Sequence, residues 1–222
     1  MTLADLIRRP HVFFEGLRAL PARPARYLGL VVLSGVLGGL ATALLLHQAL
    51  QTLVPAGLLY AAMIASSVVQ ALISWLLLWG LGQLGTGRAG RPAEVYGATF
   101  LVPLVWSLVL IVLALVTPAP ALGDAPDLST LSPLEAVQAM ATRIAQAQLS
   151  SPLLRLNGQV GYAVYVVQFW LAYIGFRALQ PEPGTSAMRG VMYPLGTLLV
   201  LGVASLLLLS VSGSLVGGAA GA

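Results

Sequence analysis

There is no cysteine and no lysine in this chain of 222 residues, and only two histidines. Without cysteine there is no disulfide framework, no thiolate metal site and no sulfur nucleophile, and no redox compartment is specified. Charge is scarce as well. Only 8% of residues are charged, against roughly 25% in a soluble globular chain, too few to coat a water-soluble domain. Apolar residues take the place of the charge, at 58% of the chain with a mean hydropathy of +0.91. All eleven cations are arginine, which with the leucine, alanine and glycine bias is the usage of a GC-rich bacterial genome. The net charge of +4 does not gather into a nucleic-acid patch. The arginines stand at the ends of apolar runs, where phospholipid headgroups are the natural partner.

The apolar runs have the length of membrane crossings. Arg91–Val116 is a basic, proline-marked approach through Glu94, Tyr96 and Gly97 into about twenty apolar residues broken only by Thr99, Pro103 and Ser107. Similar runs predict five spans, at about 27–46, 55–81, 95–116, 158–179 and 192–211. Residues 216–222 read as a loose tail. The chain is therefore expected to be an all-α integral membrane bundle.

Between the spans the polar segments have their own patterns. Residues 1–26 place apolar side chains at helical spacing between arginines, with Pro10 starting a fresh helix. This cytoplasmic amphipathic segment lies either in the interface, with Arg8, Arg9 and Arg18 on lipid headgroups, or against the protein's own cytoplasmic face. The first span is not expected to be a cleaved signal, since its apolar run continues past Ala41-Thr42-Ala43. Ser34/Gly38 and Gly35/Gly39 are small pairs four apart that admit a neighbouring helix backbone. The outer segment 117–157 holds one helix over Pro133–Leu149, with Ser132 and Glu135 as a capping box. Nine of the eleven arginines fall on one side of such a bundle, with Arg143 and Arg155 opposite. The positive-inside rule then puts the N-terminus in the cytoplasm and the C-terminus outside a plasma (inner) membrane.

Few constellations carry chemistry. Gly80–Gly85 spells GxGxxG but ends a membrane helix and follows no strand, so a dinucleotide loop is excluded. His11 and His47 lie on opposite sides with no ligand spacing, and there is no HExxH, no GxSxG and no intramembrane carboxylate pair. No enzyme, metal site or cofactor is expected. Gln70, Ser74 and Gln168 fall near the middle of spans 2 and 4, where an unpaired amide is unfavourable. They are either interhelical glue or a polar midplane site. Arg91, Glu94, Arg177 and Arg189 are expected at one depth on the cytoplasmic side. That charge cluster either ties spans 3, 4 and 5 together or docks a partner, with Tyr96 as interfacial anchor. Pro103 leaves a carbonyl unpaired near Thr99 and should kink span 3.

Glu94-Val95-Tyr96-Gly97 followed by Pro103 resembles the "YGYS…P" opening of the third helix in the Yip1 family of five-helix membrane proteins, with Ala98 and Thr99 at the second tyrosine and the serine. Pro10-His11-Val12-Phe13-Phe14 is similar to the start of bacterial members, and Thr185-Ser186-Ala187 and Pro194 fit the approach to the last helix. The acidic "DLYGP"-like motif is absent, so the resemblance implies the membrane scaffold and not the Rab-linked role of eukaryotic members. Two functions follow as expectations. One is a non-enzymatic scaffold or adaptor that binds lipids or a membrane or cytoplasmic protein through the arginine-rich face. The other is a small permease or exporter with its site between spans 2 and 4. The absence of an internal repeat and the odd span count favour the scaffold. The small-residue faces also suit a homo-oligomer.

Overall fold

The computed structural model describes residues 2–50, 53–117, 132–180 and 186–200. These residues are all-α. In chain order they form α1 (Leu3–Arg8), α2 (Pro10–Arg18), α3 (Leu28–Leu50), α4 (Ala56–Thr86), α5 (Pro92–Thr99), α6 (Leu101–Val116), α7 (Pro133–Ser150) and α8 (Pro152–Leu179). A further stretch, α9, is helical over 186–200. Short 3₁₀ turns at Pro24–Tyr27 and Arg88–Gly90 lead into α3 and α5.

Four helices, counting those turns, are long and apolar enough to cross a membrane: Pro24–His47, Ala56–Thr86, Arg88–Val116 and Pro152–Leu179. In the second of these only 17% of the most apolar window is buried within the protein, and Leu58, Val69, Ile73, Leu76 and Leu77 face outward. Such a surface is stable only against hydrocarbon, so this is a multi-pass membrane protein. The expected fourth span begins six residues earlier than its apolar run suggests, because Ser151 caps α8 by accepting from the Leu154 N–H at 3.3 Å and Pro152 sits in its first turn. Of the expected fifth span, residues 192–200 are helical, and 201–211 lie outside the described residues, as do 216–222.

Small residues decide which helices touch. A Cβ on Gly35 would stand 2.7 Å from the Val68 Cα, and one on Gly39 would stand 2.5 Å from the Ile64 Cα, so α3 and α4 meet backbone to backbone. The other pair, Ser34 and Gly38, turns toward α6, with Gly38 facing the Ser107 hydroxyl. Gly82 and Gly85, from the GxGxxG string, are contact points of the same kind. Gly82 admits the Tyr96 ring and Pro92, and Gly85 admits the backbone at Arg189 and Gly190.

The third span breaks where Pro103 predicts. Lacking an N–H, Pro103 cannot bond the Thr99 carbonyl, and the chain tightens at Phe100, whose N–H bonds Gly97 at 3.4 Å, separating α5 from α6. At one end of the molecule α1 and α2 lie on the bundle. Leu6, Phe13, Phe14 and Leu17 are buried there, and Gly175 of α8 leaves room for the Phe14 ring. At the other end α7 closes over α3. Arg143 donates to the Ala49 carbonyl at 3.2 Å, and Ala147 joins Leu46, Ala49, Leu50 and Leu59 in a second small core. The Ser132–Glu135 capping box is formed, and the hydrogen bonds that the Ser132 hydroxyl and backbone N–H donate to the Glu135 carboxylate hold it below the usual carboxylate range.

Candidate functional site

Two places concentrate polar chemistry, one at the arginine-rich end and one inside the bundle. The first is built on α5. Glu94 is 1% exposed, on the first turn of a helix, where a carboxylate is favoured. Its Oε1 accepts from Arg26 Nε at 2.8 Å and from the Arg23 backbone N–H at 3.1 Å. Its Oε2 lies 3.7 Å from Arg91 Nη1 and accepts no hydrogen bond among the described residues. Arg91 Nη1 reaches the other way, donating to the carbonyls of Leu17 and Leu20 at 2.9 and 2.8 Å, and so caps the end of α2. Glu94 and Arg91 together strap the first 26 residues onto the bundle. Arg91 does this from the left-handed region, φ 48° and ψ 51°, which costs a non-glycine residue about 1 kcal/mol.

The expected charge cluster is therefore only half assembled. Arg91 joins Glu94, but Arg177 is exposed over the Tyr173 ring, 5.8 Å from its centroid. Arg189 is exposed and forms no ion pair among the described residues. Glu94 faces the N-terminal segment and not α8 or α9, so the Arg26 guanidinium, helped by the Arg23 backbone N–H, takes the place expected for Arg177 and Arg189. No signal in the sequence pairs residues 68 apart. The ties between spans come from neutral groups instead. Tyr96, fully buried and not an interfacial anchor, packs its edge on Phe169 and Phe176 and donates to the Gly190 carbonyl at 2.7 Å. Trp75 Nε1 donates to the Ala93 carbonyl at 3.0 Å. Gln180 donates to the Thr86 carbonyl at 3.3 Å and accepts from the Ser186 hydroxyl, joining the ends of α4, α8 and α9. Gly97 is needed because a Cβ would stand 2.9 Å from the Tyr27 Cβ.

Around this strap the remaining guanidinium groups point outward. Arg8, Arg9, Arg18, Arg23, Arg88, Arg177 and Arg189 are all exposed. Between the strap and α4 a recess of about 430 Å³ is lined by Pro24, Trp79, Gln83, Arg88, Arg91 and Glu94. The recess thus sets the Trp79 indole beside the Arg88 and Arg91 side chains.

The second place lies among α3, α4, α6 and α8. Gln70, Ser74 and Gln168 line one cavity of about 300 Å³, together with Ser34, Ser67, Ser107, Asn157 and the rings of Trp106 and Tyr165. Gln168 is 4% exposed, yet no described residue hydrogen-bonds its amide, and Gln70 does not reach it. Neither glutamine is thus engaged as interhelical glue among the described residues. Ser107 spends its proton on the Pro103 carbonyl at 2.8 Å, and Asn157 Oδ1 accepts from Trp106 Nε1 at 3.0 Å. Asn157 and Trp106 were not among the expected site residues. Asn157 stood in the segment read as outer loop, and the early start of α8 brings it inside. The two histidines are at opposite ends, His11 on α2 and His47 near the far end of α3, and no group of metal-ligating side chains occurs among the described residues. No protein-family model, curated protein or solved structure matches this chain.

Proposed function

We propose that the chain is a Yip1-like protein of a bacterial inner membrane, with its N-terminus in the cytoplasm and its C-terminus outside. It acts as a non-enzymatic scaffold or adaptor whose arginine-rich end holds anionic lipid and offers a surface to a protein partner. The observation that carries this reading is the division of labour among the arginines. Arg26 and Arg91 are consumed in fixing the strap, while Arg8, Arg9, Arg18 and Arg88 stay exposed around it. The phenylalanines of the strap are spent on the bundle itself, the second of the two placements expected for it, and its exposed guanidinium groups are left to meet anionic headgroups or a partner.

In nanodiscs of mixed phosphatidylglycerol and phosphatidylcholine, the protein should carry the anionic lipid preferentially into native mass spectrometry, and R8A/R9A/R18A should lose that preference. Equal retention of the two lipids by the native chain would refute the lipid-holding role. A second reading, a small permease, is favoured by one observation, the uncharged polar cavity between α4 and α8.

A further inference from the structure

We infer that the cavity among α3, α4, α6 and α8 is a binding site for an uncharged, hydroxyl-rich molecule of one-ring size, a polyol or single sugar, free or as the head of a lipid. The inference deepens the permease reading and rests on the cavity, not on transport. Its first support is Gln168, a residue only 4% exposed on a wall of the cavity, whose amide is engaged by no described residue and is reached from the cavity itself. Left alone in hydrocarbon such a group is strongly unfavourable, and native membrane proteins pair it. A hydroxyl both donates and accepts, which is what an amide offers in return.

The second support is the charge of the walls. No arginine, aspartate, glutamate or histidine lines the cavity among the described residues, so an ionic solute would lose its hydration with nothing to replace it. The third is the company of the amide. Gln70, Ser74 and the Asn157 amide nitrogen supply further hydrogen-bonding groups, and Trp106 and Tyr165 supply flat faces that suit the C–H side of a sugar or polyol. The volume, about 300 Å³, stands at the small end of ligand sites and fits one ring, not two.

The full-length protein in detergent would be titrated with myo-inositol, glucose, monoglucosyl-diacylglycerol and glucose 6-phosphate, reading ligand-induced thermal shift and calorimetric affinity. Stabilisation by at least one of the three uncharged probes, and none by glucose 6-phosphate, is expected. Which of the three binds separates a free solute from a lipid head. Q168L should keep or raise the ligand-free midpoint, because it removes an unpartnered amide, while weakening the probe about tenfold. Q70L, at an exposed position, should weaken it without touching the midpoint.

Three results would overturn the site: no shift from any uncharged probe, equal binding of glucose 6-phosphate, or unchanged affinity in both variants. Loss of stability in Q168L with affinity intact in Q70L would likewise return the glutamines to a structural role. Binding without uptake into proteoliposomes removes the permease reading and leaves the site standing.

Discussion

Glu94 shows how much one side chain can hold in a chain so poor in acids. Its carboxylate meets the Arg26 guanidinium and the Arg23 N–H, and with Arg91 it fixes the path from α2 into the first span. Removing one partner of a buried ion pair leaves the other uncompensated, which is worse than never having had the pair. E94A is therefore expected to lower stability by about 3 kcal/mol, and E94Q by less, because an amide oxygen still accepts from Arg26. Thermal unfolding in detergent measures the first effect. Trypsin reads the strap directly, since cutting after Arg18 and Arg26 should accelerate in E94A, Arg23 being protected by the proline that follows it. An unchanged cutting rate would mean that the strap is held by its phenylalanines alone. Sequence alone marked Glu94, Tyr96 and Gly97 as belonging together. Their partners (Arg26, Gly190 and Tyr27) are 68, 94 and 70 residues away, and no local pattern records such distances.

At the scale of elements, contact between helices is set by what is missing from their faces. α3 carries glycines at 29, 35, 38 and 39, and they are not equivalent. A methyl at Gly39 would run into the Ile64 backbone at 2.5 Å, while one at Gly29 meets nothing within 4 Å. G39A should force α3 and α4 apart and destabilise by about 1–3 kcal/mol, and G29A, in the same helix, should be neutral or slightly stabilising. Unfolding both variants in mixed micelles tests the pair, and equal effects would show that the close approach is not needed for assembly. The small-residue spacing was legible in the sequence, but the partner of each face was not. Gly35 and Gly39 turned out to face α4, and Ser34 and Gly38 a cavity wall, because the helices' rotation about their own axes is decided by the whole bundle.

For the whole molecule the proposed orientation rests on the arginines, most of which gather at the strapped end. The α4–α5 turn lies at the strapped end, and α7 caps the opposite one. Because the chain has no cysteine, a single introduced thiol reports its own side without background. Ala89→Cys is expected to react with a membrane-impermeant maleimide only after permeabilisation, and Gln138→Cys in intact cells. Both positions are exposed. Labelling of both from one side would break the alternation of spans and with it the cytoplasmic assignment.

By itself the sequence determined that the chain is helical and crosses a membrane several times, because length and hydropathy are summed along the chain and need no partner. It also determined where helices start and break, through Pro10, Pro103 and the Ser132–Glu135 cap, because those effects act within one turn. Only the tertiary structure decided that Tyr96 is a core residue, that the Arg26 guanidinium rather than Arg177 or Arg189 answers Glu94, and that Gln70, Ser74 and Gln168 share one cavity with Asn157. Each of those facts depends on which faces of distant helices meet, and a side chain's neighbours across a bundle are fixed by packing, not by its place in the chain.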